Sequence, residues 1–250
     1  MGYQVAGQSH TGAVRKSNQD VVEWQLSEAA DRALLVVADG MGGHQGGEVA
    51  SRLAVDAVLD AAGEALTCMP PDAPDHEIRK ILDRGFALAN DRIKARRAEE
   101  PGLEKMGTTL VLAWVSGSRA HIAHIGDSRC YRLRKQQAVC LTRDDTVVQN
   151  MLEDGSITLA DVPHVPFRNV LTRAVGSVEE AAPSHRTEIL EPGDALLLCS
   201  DGLTDSVPED RWPGIVHGHD GPASAVQALI EAGLANGAGD NVSVVLLTLE

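Results

Sequence analysis

Aspartates beside glycines mark the places where this chain could hold a metal ion. Three of them stand at Gly-flanked turns next to apolar segments, and a fourth has a related setting: Asp39, Asp201, Asp240 and Asp127. Carboxylates gathered at one place repel one another, so bound cations would neutralise them. Because oxygen is the only ligand type that this set offers, it favours Mg²⁺ or Mn²⁺ over zinc.

A pair of such ions would favour phosphoester hydrolysis. Two ions about 3.5–4 Å apart can share a water molecule, lower its pKa and present hydroxide to a phosphorus centre. No covalent nucleophile is needed, and none of the four cysteines has an arginine at the Cys-x5-Arg spacing. Arg15 has the planar guanidinium that clamps a phosphoryl group, although an ordinary surface arginine is the alternative.

The stretch around Asp39 predicts how that carboxylate is held. Residues 33–38 form a continuous apolar run, which predicts a strand buried on both faces that ends at Asp39 and Gly40. Apolar residues at helical spacing follow Gly47 and predict a helix. A loop that cradles phosphate with its backbone amides is the alternative. Such a loop requires Gly-Lys-Ser/Thr at the helix start, where this chain has Glu48, so we favour a metal site.

Periodicity predicts about ten strands and four or five helices around these residues. The predicted strands are residues 3–7, 21–26, 33–38, 108–116, 119–125, 130–133, 138–141, 184–189, 195–199 and 242–249. The predicted helices start at residue 47 or cover residues 75–99, 146–153, 208–215 and 222–234. Residues 142–173 lack a strand pattern, which is typical of a lid or specificity insertion; a surface excursion without function is the alternative.

Composition excludes several classes of partner. The formal net charge of -14 repels nucleic-acid phosphates and anionic lipid, and 3% aromatic residues leave few side chains on which bases could stack. We therefore expect no nucleic-acid partner. No apolar run approaches the length of a membrane span, and the cysteines show no Cys-x-x-Cys spacing. We therefore expect a cytoplasmic protein with reduced thiols. We also expect it to be a monomer.

Seven motifs occur in order along nearly the whole chain. They are Arg15-x-x-Asn18-Gln19-Asp20, Asp39-Gly40-Met41-Gly42-Gly43-His44-x-x-Gly47-Glu48-x-Ala50-Ser51, Gly107-Thr108-Thr109, Gly126-Asp127-Ser128-Arg129, Leu171-Thr172-Arg173-Ala174-Val175-Gly176, Ser200-Asp201-Gly202-Leu203-Thr204-Asp205 and Gly239-Asp240-Asn241. With these motifs the chain resembles the bacterial metal-dependent protein phosphatases of the PPM family, the type 2C serine/threonine phosphatases.

The resemblance implies a fold and an activity. The fold would be α+β: a four-layer α-β-β-α sandwich with two mainly antiparallel sheets, a single domain over residues 1–250 and a flap at residues 142–173. The activity would be Mn²⁺- or Mg²⁺-dependent hydrolysis of phosphoserine and phosphothreonine in phosphoproteins, opposing a bacterial serine/threonine kinase.

The resemblance also implies roles for single residues. Asp39 would bridge two ions, the Gly40 carbonyl would bind one of them, and Asp201 with Asp240 would complete the second. Asp127, with Asp201, would hold a third and weaker ion, and Arg15 would bind the substrate phosphate.

Some positions depart from the family pattern. Gln19 stands where some members have a glutamate ligand, so Asp20 is expected to act on an ion directly or through water. Met41 stands where animal members have a histidine as general acid. His44 is the candidate acid here, and a structural role in the glycine turn is its alternative. Asp145 replaces an expected histidine, a change that we expect to affect substrate preference.

Two other classes of function remain open from the residues. The chain could be a catalytically silent module that binds phosphoproteins, although its complete acidic set argues against a degenerate site. It could also be a metal hydrolase for small phosphate esters, which only a comparison of substrates would separate from a protein phosphatase.

Overall fold

The computed structural model describes residues 2–42, 46–70 and 72–249, and within them it contains eleven strands and six α-helices. The strands are β1 Tyr3–His10, β2 Asp20–Leu26, β3 Arg32–Met41, β4 Gly107–Thr108, β5 Leu110–Ser116, β6 Arg119–Ile125, β7 Arg129–Arg134, β8 Gln137–Cys140, β9 Ser184–Ile189, β10 Ala195–Cys199 and β11 Val242–Leu249. The helices are α1 Gly46–Cys68, α2 Asp75–Glu99, α3 Val147–Glu153, α4 Asp201–Ser206, α5 Trp212–His217 and α6 Pro222–Ala235.

Two antiparallel sheets form the centre of the molecule. One has the strand order β1-β11-β10-β7-β8, and the other has the order β2-β3-β5-β6-β9 with β4 paired to β3. Helices α1 and α2 pack on the outer face of the second sheet, and α4, α5 and α6 pack on the outer face of the first. The predicted α+β, four-layer α-β-β-α sandwich is therefore confirmed.

Strand β3 shows why the layers assemble in this order. Leu34 and Val36 point into the core beneath α1 and α2, whereas Leu35 and Val37 point into the core between the sheets. All four are 0% exposed, which is why the sequence here is an unbroken apolar run rather than an alternating one. Each such side chain contributes roughly 1.5–3 kcal/mol by its removal from water.

Several predicted boundaries differ from the observed ones, as for β1 and α5, and three differences lie close to the aspartates. Strand β3 continues past Asp39 to Met41, because Gly40 and Met41 pair with Thr108 and Gly107 of β4. The predicted strand over residues 108–116 is interrupted at Thr109, where the backbone N–H donates to the Asp39 carbonyl instead. The apolar run before Asp201 leads directly into helix α4 rather than into a turn, an element that the sequence prediction missed.

The segment between β8 and β9 contains the predicted flap. It holds α3, whose N-cap Thr146 accepts the Gln149 N–H at 3.1 Å, and a short 3₁₀ helix, Val162–His164. A bridge between Thr146 and Leu171 brings the two ends of this segment together. None of the helices in the described ranges is long and apolar enough to cross a lipid bilayer.

Candidate active site

Five aspartates from five separate places in the chain lie close enough at one end of the sandwich for their charges to interact. Asp20 begins β2, Asp39 lies near the end of β3, Asp127 follows β6, Asp201 begins α4, and Asp240 precedes β11. A cavity of about 870 Å³ is lined by all of these except Asp20, and also by Arg15 and Gly40. The four Gly-flanked aspartates singled out in the sequence thus meet in one place.

Asp20 lies beneath this cavity rather than in its lining. It is 7% exposed, and its register partner in β3 is Asp39. The Ser200 hydroxyl donates to its Oδ2 at 2.7 Å, which links β2 to the start of α4. Asp20 therefore lies beside Asp39 and is bonded to Ser200, the residue before helix α4.

Burial in the protein and repulsion between carboxylates raise the pKa values of Asp20, Asp39, Asp127 and Asp201. Burial raises the pKa of Asp39 well above its ordinary value, and the charges of Asp20 and Asp201 raise it further. Burial followed by the charge of Asp127 acts in the same direction on the pKa of Asp201. Burial raises the pKa of Asp20 to about 6, although its hydrogen bonds favour the charged form. Burial, and after it the charge of Asp144, raises the pKa of Asp127 to about 6.

Two carboxylate oxygens in this cluster lack a partner. Asp20 Oδ1 and Asp201 Oδ1 are buried without any hydrogen bond. A buried unsatisfied oxygen is costly, and the cost is higher for an ionised group. Orphaned oxygens, an all-oxygen donor set and several repelling carboxylates are together what a hard divalent cation would satisfy, so the residues present fit Mg²⁺ or Mn²⁺.

The carboxylates of the described residues do not form a complete metal-binding site in this structure. Within residues 2–42, 46–70 and 72–249, no three or more His, Cys, Asp or Glu side chains are grouped so that they could hold one metal ion. Asp240 is occupied by other partners, because its Oδ2 accepts from Arg15 Nη2 at 2.6 Å and its Oδ1 accepts from the Asn241 N–H at 2.8 Å.

Backbone contacts fix the Asp39 side of the cavity. A Cβ on Gly40 would lie 2.0 Å from the Gly47 carbonyl oxygen, so only glycine lets β3 pass this close to the start of α1. The Gly40 N–H donates to the Gln19 carbonyl at 3.1 Å, and the Ser51 hydroxyl donates to the same carbonyl at 2.6 Å. The Asp39 N–H donates to the Thr109 hydroxyl at 3.1 Å.

Asn241 fixes the opposite side, a role that the sequence prediction missed. Its Nδ2 donates to the carbonyls of Thr11 and Ser17 at 2.9 and 3.0 Å, and its Oδ1 accepts the Gln19 N–H at 2.8 Å. It thereby holds the loop that carries Arg15 against the loop that carries Asp240. The motif containing Asn241 was visible in the sequence, but nothing local indicated which distant carbonyls it binds.

Asp145 and Asp144 support the Asp127 turn. Asp145 is 5% exposed; its Oδ2 accepts the Gly126 N–H at 3.0 Å, and Arg173 lies 3.4 Å from its Oδ1. Gly126 itself has a φ of +105°, a conformation that favours glycine. Arg129 donates two hydrogen bonds to Asp144, at 2.8 and 2.7 Å.

Arg15 and His44 are the remaining predicted site residues. Arg15 lines the cavity with 54% of its side chain exposed, and in this structure its guanidinium binds Asp240. His44, the candidate general acid, lies outside the described residues.

Comparison with known proteins identifies close relatives. The chain matches the family described as protein phosphatase 2C over residues 6–232. It is 38% identical over 243 residues to the serine/threonine protein phosphatase PstP of Mycobacterium tuberculosis, covering 96% of this chain and 44% of that protein. It is 34% identical over 237 residues to the serine/threonine phosphatase stp of Listeria welshimeri, covering 94% of this chain and 92% of that protein. The chain thus spans less than half the length of the first of these relatives.

Solved structures agree with the sequence comparison. The crystal structure of the M. tuberculosis serine/threonine phosphatase PstP/Ppp superposes with a TM-score of 0.86 at 37% identity, covering 100% of both chains. The catalytic domain of PstP in complex with two manganese ions superposes with a TM-score of 0.83 at 36% identity, covering 98% of this chain and 97% of that one.

Proposed function

The chain belongs to the protein phosphatase 2C family, as its motifs predicted, and we propose that it hydrolyses phosphoserine and phosphothreonine in phosphoproteins. One observation carries the proposal. Five aspartates distant in sequence are brought together around one cavity, and two of their buried oxygens have no partner. A degenerate site that only bound partners would have no need to keep such a costly cluster.

We propose Mn²⁺ or Mg²⁺ as the cofactor, since the related PstP catalytic domain was solved with two manganese ions. Asp39, the Gly40 carbonyl, Asp201 and Asp240 would hold two ions, and Asp127 with Asp201 would hold a weaker third. Bound divalent cations would lower the pKa of water so that it attacks phosphorus at neutral pH, and would offset the charge on the phosphoryl group.

The chain's own residues would bind and orient the substrate. Arg15 lines the cavity and its Nη2 donates to Asp240. A guanidinium has five N–H donors, so its other donors can bind the phosphoryl oxygens. Asp20 lies behind Asp39 and would act on an ion through water or by holding Asp39 in place. His44 remains our candidate for the group that protonates the leaving oxygen, because imidazole titrates near neutral pH.

The wider setting is also a proposal. We infer that the protein opposes a bacterial serine/threonine kinase, since its relatives are named as serine/threonine phosphatases of bacteria. We also propose that it acts as a cytoplasmic monomer.

Hydrolysis of a phosphothreonine peptide with Mn²⁺, with Mg²⁺ and with EDTA tests the proposal. We expect release of phosphate with Mn²⁺ and none with EDTA. Asp39→Asn should lower kcat by more than about 100-fold, because losing even a partner of a metal ligand can cost that much. Asp210→Asn, an exposed carboxylate outside the cavity, is the matched control.

Two outcomes would contradict the proposal. One is full activity in EDTA, and the other is near-normal activity of a folded Asp39→Asn protein. Faster turnover of nucleoside monophosphates than of phosphopeptides would favour a hydrolase of small phosphate esters instead.

A further inference from the structure

Exposed apolar side chains are concentrated near the catalytic cavity. Six large apolar residues in the described ranges are exposed: Val14, Leu26, Leu159, Phe167, Val170 and Ile189. Three of them belong to the flap, and Val14 directly precedes Arg15. Leu159 is the most exposed, at 80%. Isolated apolar residues on a surface are normal, but a group of them beside a catalytic cavity is typical of a docking site.

A groove of about 370 Å³ lies between the flap and helix α4, and we call it the flap groove. The flap contributes five apolar residues to its lining, Val148, Leu152, Leu159, Val162 and Pro163, beside the polar Thr146, Gln149, Arg168 and Asn169. Its opposite wall is formed by Thr204 and Asp205 of α4. The flap groove therefore offers apolar contact area on the side that the flap provides.

The flap groove adjoins the catalytic cavity. Asp127, Asn169 and Asp201 line both spaces. Asn169 also lines a hollow of about 470 Å³ on the flap formed by residues 163–170. A polypeptide whose phosphorylated residue reaches the floor of the cavity must leave it across neighbouring surfaces, and the flap groove is one of these.

Six charged residues line the flap groove beside its apolar side chains. Arg129 and Asp144, which also line it, are paired with each other through two hydrogen bonds. Arg168 on the flap and Asp205 on α4 form no ion pair within the described part of the chain, and they carry opposite charges. Asp127 and Asp201 line the groove as well, so its four aspartates and two arginines give a formal charge of −2. Once the proposed cations neutralise Asp127 and Asp201, the two arginines and the two remaining aspartates sum to zero and attract neither an acidic nor a basic side chain.

Ion pairs hold both ends of the flap in place. Arg129 ties Asp144 to β7, Arg173 ties Asp145 to the far end of the flap, and Arg143 pairs with Glu153 of α3. A preformed apolar surface binds with a smaller entropic cost than one that must be ordered first.

We propose that the flap groove binds an apolar side chain of the phosphoprotein substrate, close in sequence to the phosphorylated residue. This inference rests on the proposed function and specifies it, because it names substrates with leucine, isoleucine, valine, methionine or phenylalanine near the phosphorylated serine or threonine. The occupant is the substrate chain itself, since the groove shares three lining residues with the cavity that would hold the phosphoryl group.

A series of phosphothreonine peptides tests the proposal. The host peptide contains alanine and serine, and a single leucine is placed at each position from four before to four after the phosphothreonine. With Mn²⁺, we expect leucine at one or two positions on one side to raise kcat/KM about tenfold, mainly through KM, because burying its side chain adds affinity.

Leu159→Ser locates the effect in the flap groove. It should lower the ratio of kcat/KM for the best leucine peptide to that for the alanine host towards one. Since Leu159 is 80% exposed, the substitution is expected to leave folding intact. Ile189→Ser, which replaces a 53% exposed residue on the edge strand β9, is the matched control and should keep the full ratio.

The outcomes separate this inference from the proposed function. Hydrolysis of p-nitrophenyl phosphate with Mn²⁺ but equal kcat/KM for all peptides would overturn the flap-groove proposal alone. Failure to hydrolyse any phosphoester with Mn²⁺ would refute the proposed function. A leucine preference that Leu159→Ser leaves unchanged, or a dimer in sedimentation that Leu159→Ser dissociates, would assign the groove to another occupant and overturn the proposal.

Discussion

Asp20 and Asp39 lie directly opposite each other in the antiparallel pairing of β2 with β3. Like charges at facing positions of a sheet destabilise it, and here both carboxylates are also shielded from bulk water. The metal-free fold therefore carries an electrostatic cost at the place where the proposed catalytic ions would bind.

This cost predicts an unusual dependence of stability on pH. The pKa of Asp20 is raised to about 6, so the folded protein binds its proton more tightly than the unfolded chain. The resulting stabilisation is complete below the unfolded pKa near 3.8 and is lost as pH rises through about 6. In EDTA, Asp20→Asn should therefore be more stable than the native protein at pH 7.5, by roughly 1–3 kcal/mol.

Urea unfolding in EDTA from pH 4 to pH 8 measures this difference. The gain of Asp20→Asn should shrink towards pH 4, and Mn²⁺ should reduce the pH dependence of the native protein. A variant that is less stable than the native protein at pH 7.5 in EDTA would show that Asp20 is not held at an electrostatic cost.

Arg15 is predicted to serve substrate binding. Arg15→Ala should lower kcat/KM for a phosphothreonine peptide by about 10- to 100-fold, the value of a hydrogen bond to a charged group. Arg15→Lys should recover part of the loss, since a lysine keeps the charge but not the fork. Peptide kinetics and inhibition by inorganic phosphate would measure both. If Arg15→Ala weakened Mn²⁺ binding and left phosphate inhibition intact, the arginine would act through Asp240 alone.

Arg129 is predicted to stabilise the contact between strand β7 and the start of residues 142–173, the predicted flap. It donates to both carboxylate oxygens of Asp144 and also to Tyr131 and Glu209. Arg129→Lys should lower the free energy of unfolding by about 2 kcal/mol, because lysine cannot form these bonds together.

Arg119→Lys is the control for that measurement. Arg119 pairs with Asp75 at 2.8 Å but is 54% exposed, so its replacement should cost less than about 1 kcal/mol. Urea denaturation of both variants would test the comparison, and equal losses would contradict it.

Gly202 is predicted to be required for the placement of Asp201. A Cβ at this position would lie 1.9 Å from the Asn241 carbonyl oxygen, so Gly202→Ala must displace α4 from β11. We expect a loss of at least about 2 kcal/mol in stability. Gly214→Ala in α5 meets no atom within 4 Å and should instead stabilise the protein by about 0.5–1 kcal/mol. Thermal denaturation of the two variants should therefore show shifts of opposite sign.

Local patterns in the sequence determined most of the secondary structure. The predicted helix over residues 75–99 coincides with α2, and the predicted strands over residues 119–125, 184–189 and 195–199 coincide with β6, β9 and β10. These elements were predictable because a helix or strand buried on one or both faces must repeat its apolar residues with the backbone period. Four of the five aspartates were also visible, since Asp39, Asp127, Asp201 and Asp240 each stand beside a glycine and next to an apolar segment.

Only the tertiary structure decided how these residues are combined. Arg15 and Asp240 are 225 positions apart, and the register of β1 with β11 and the bonds of Asn241 bring them within 2.6 Å. The sequence likewise did not show that α4 begins at Asp201 or that Asp145 accepts a hydrogen bond from Gly126. It also did not show that Asn169 lines both the flap groove and the cavity. Backbone periodicity is a local property, whereas contacts between distant loops depend on strand register and on the packing of all four layers.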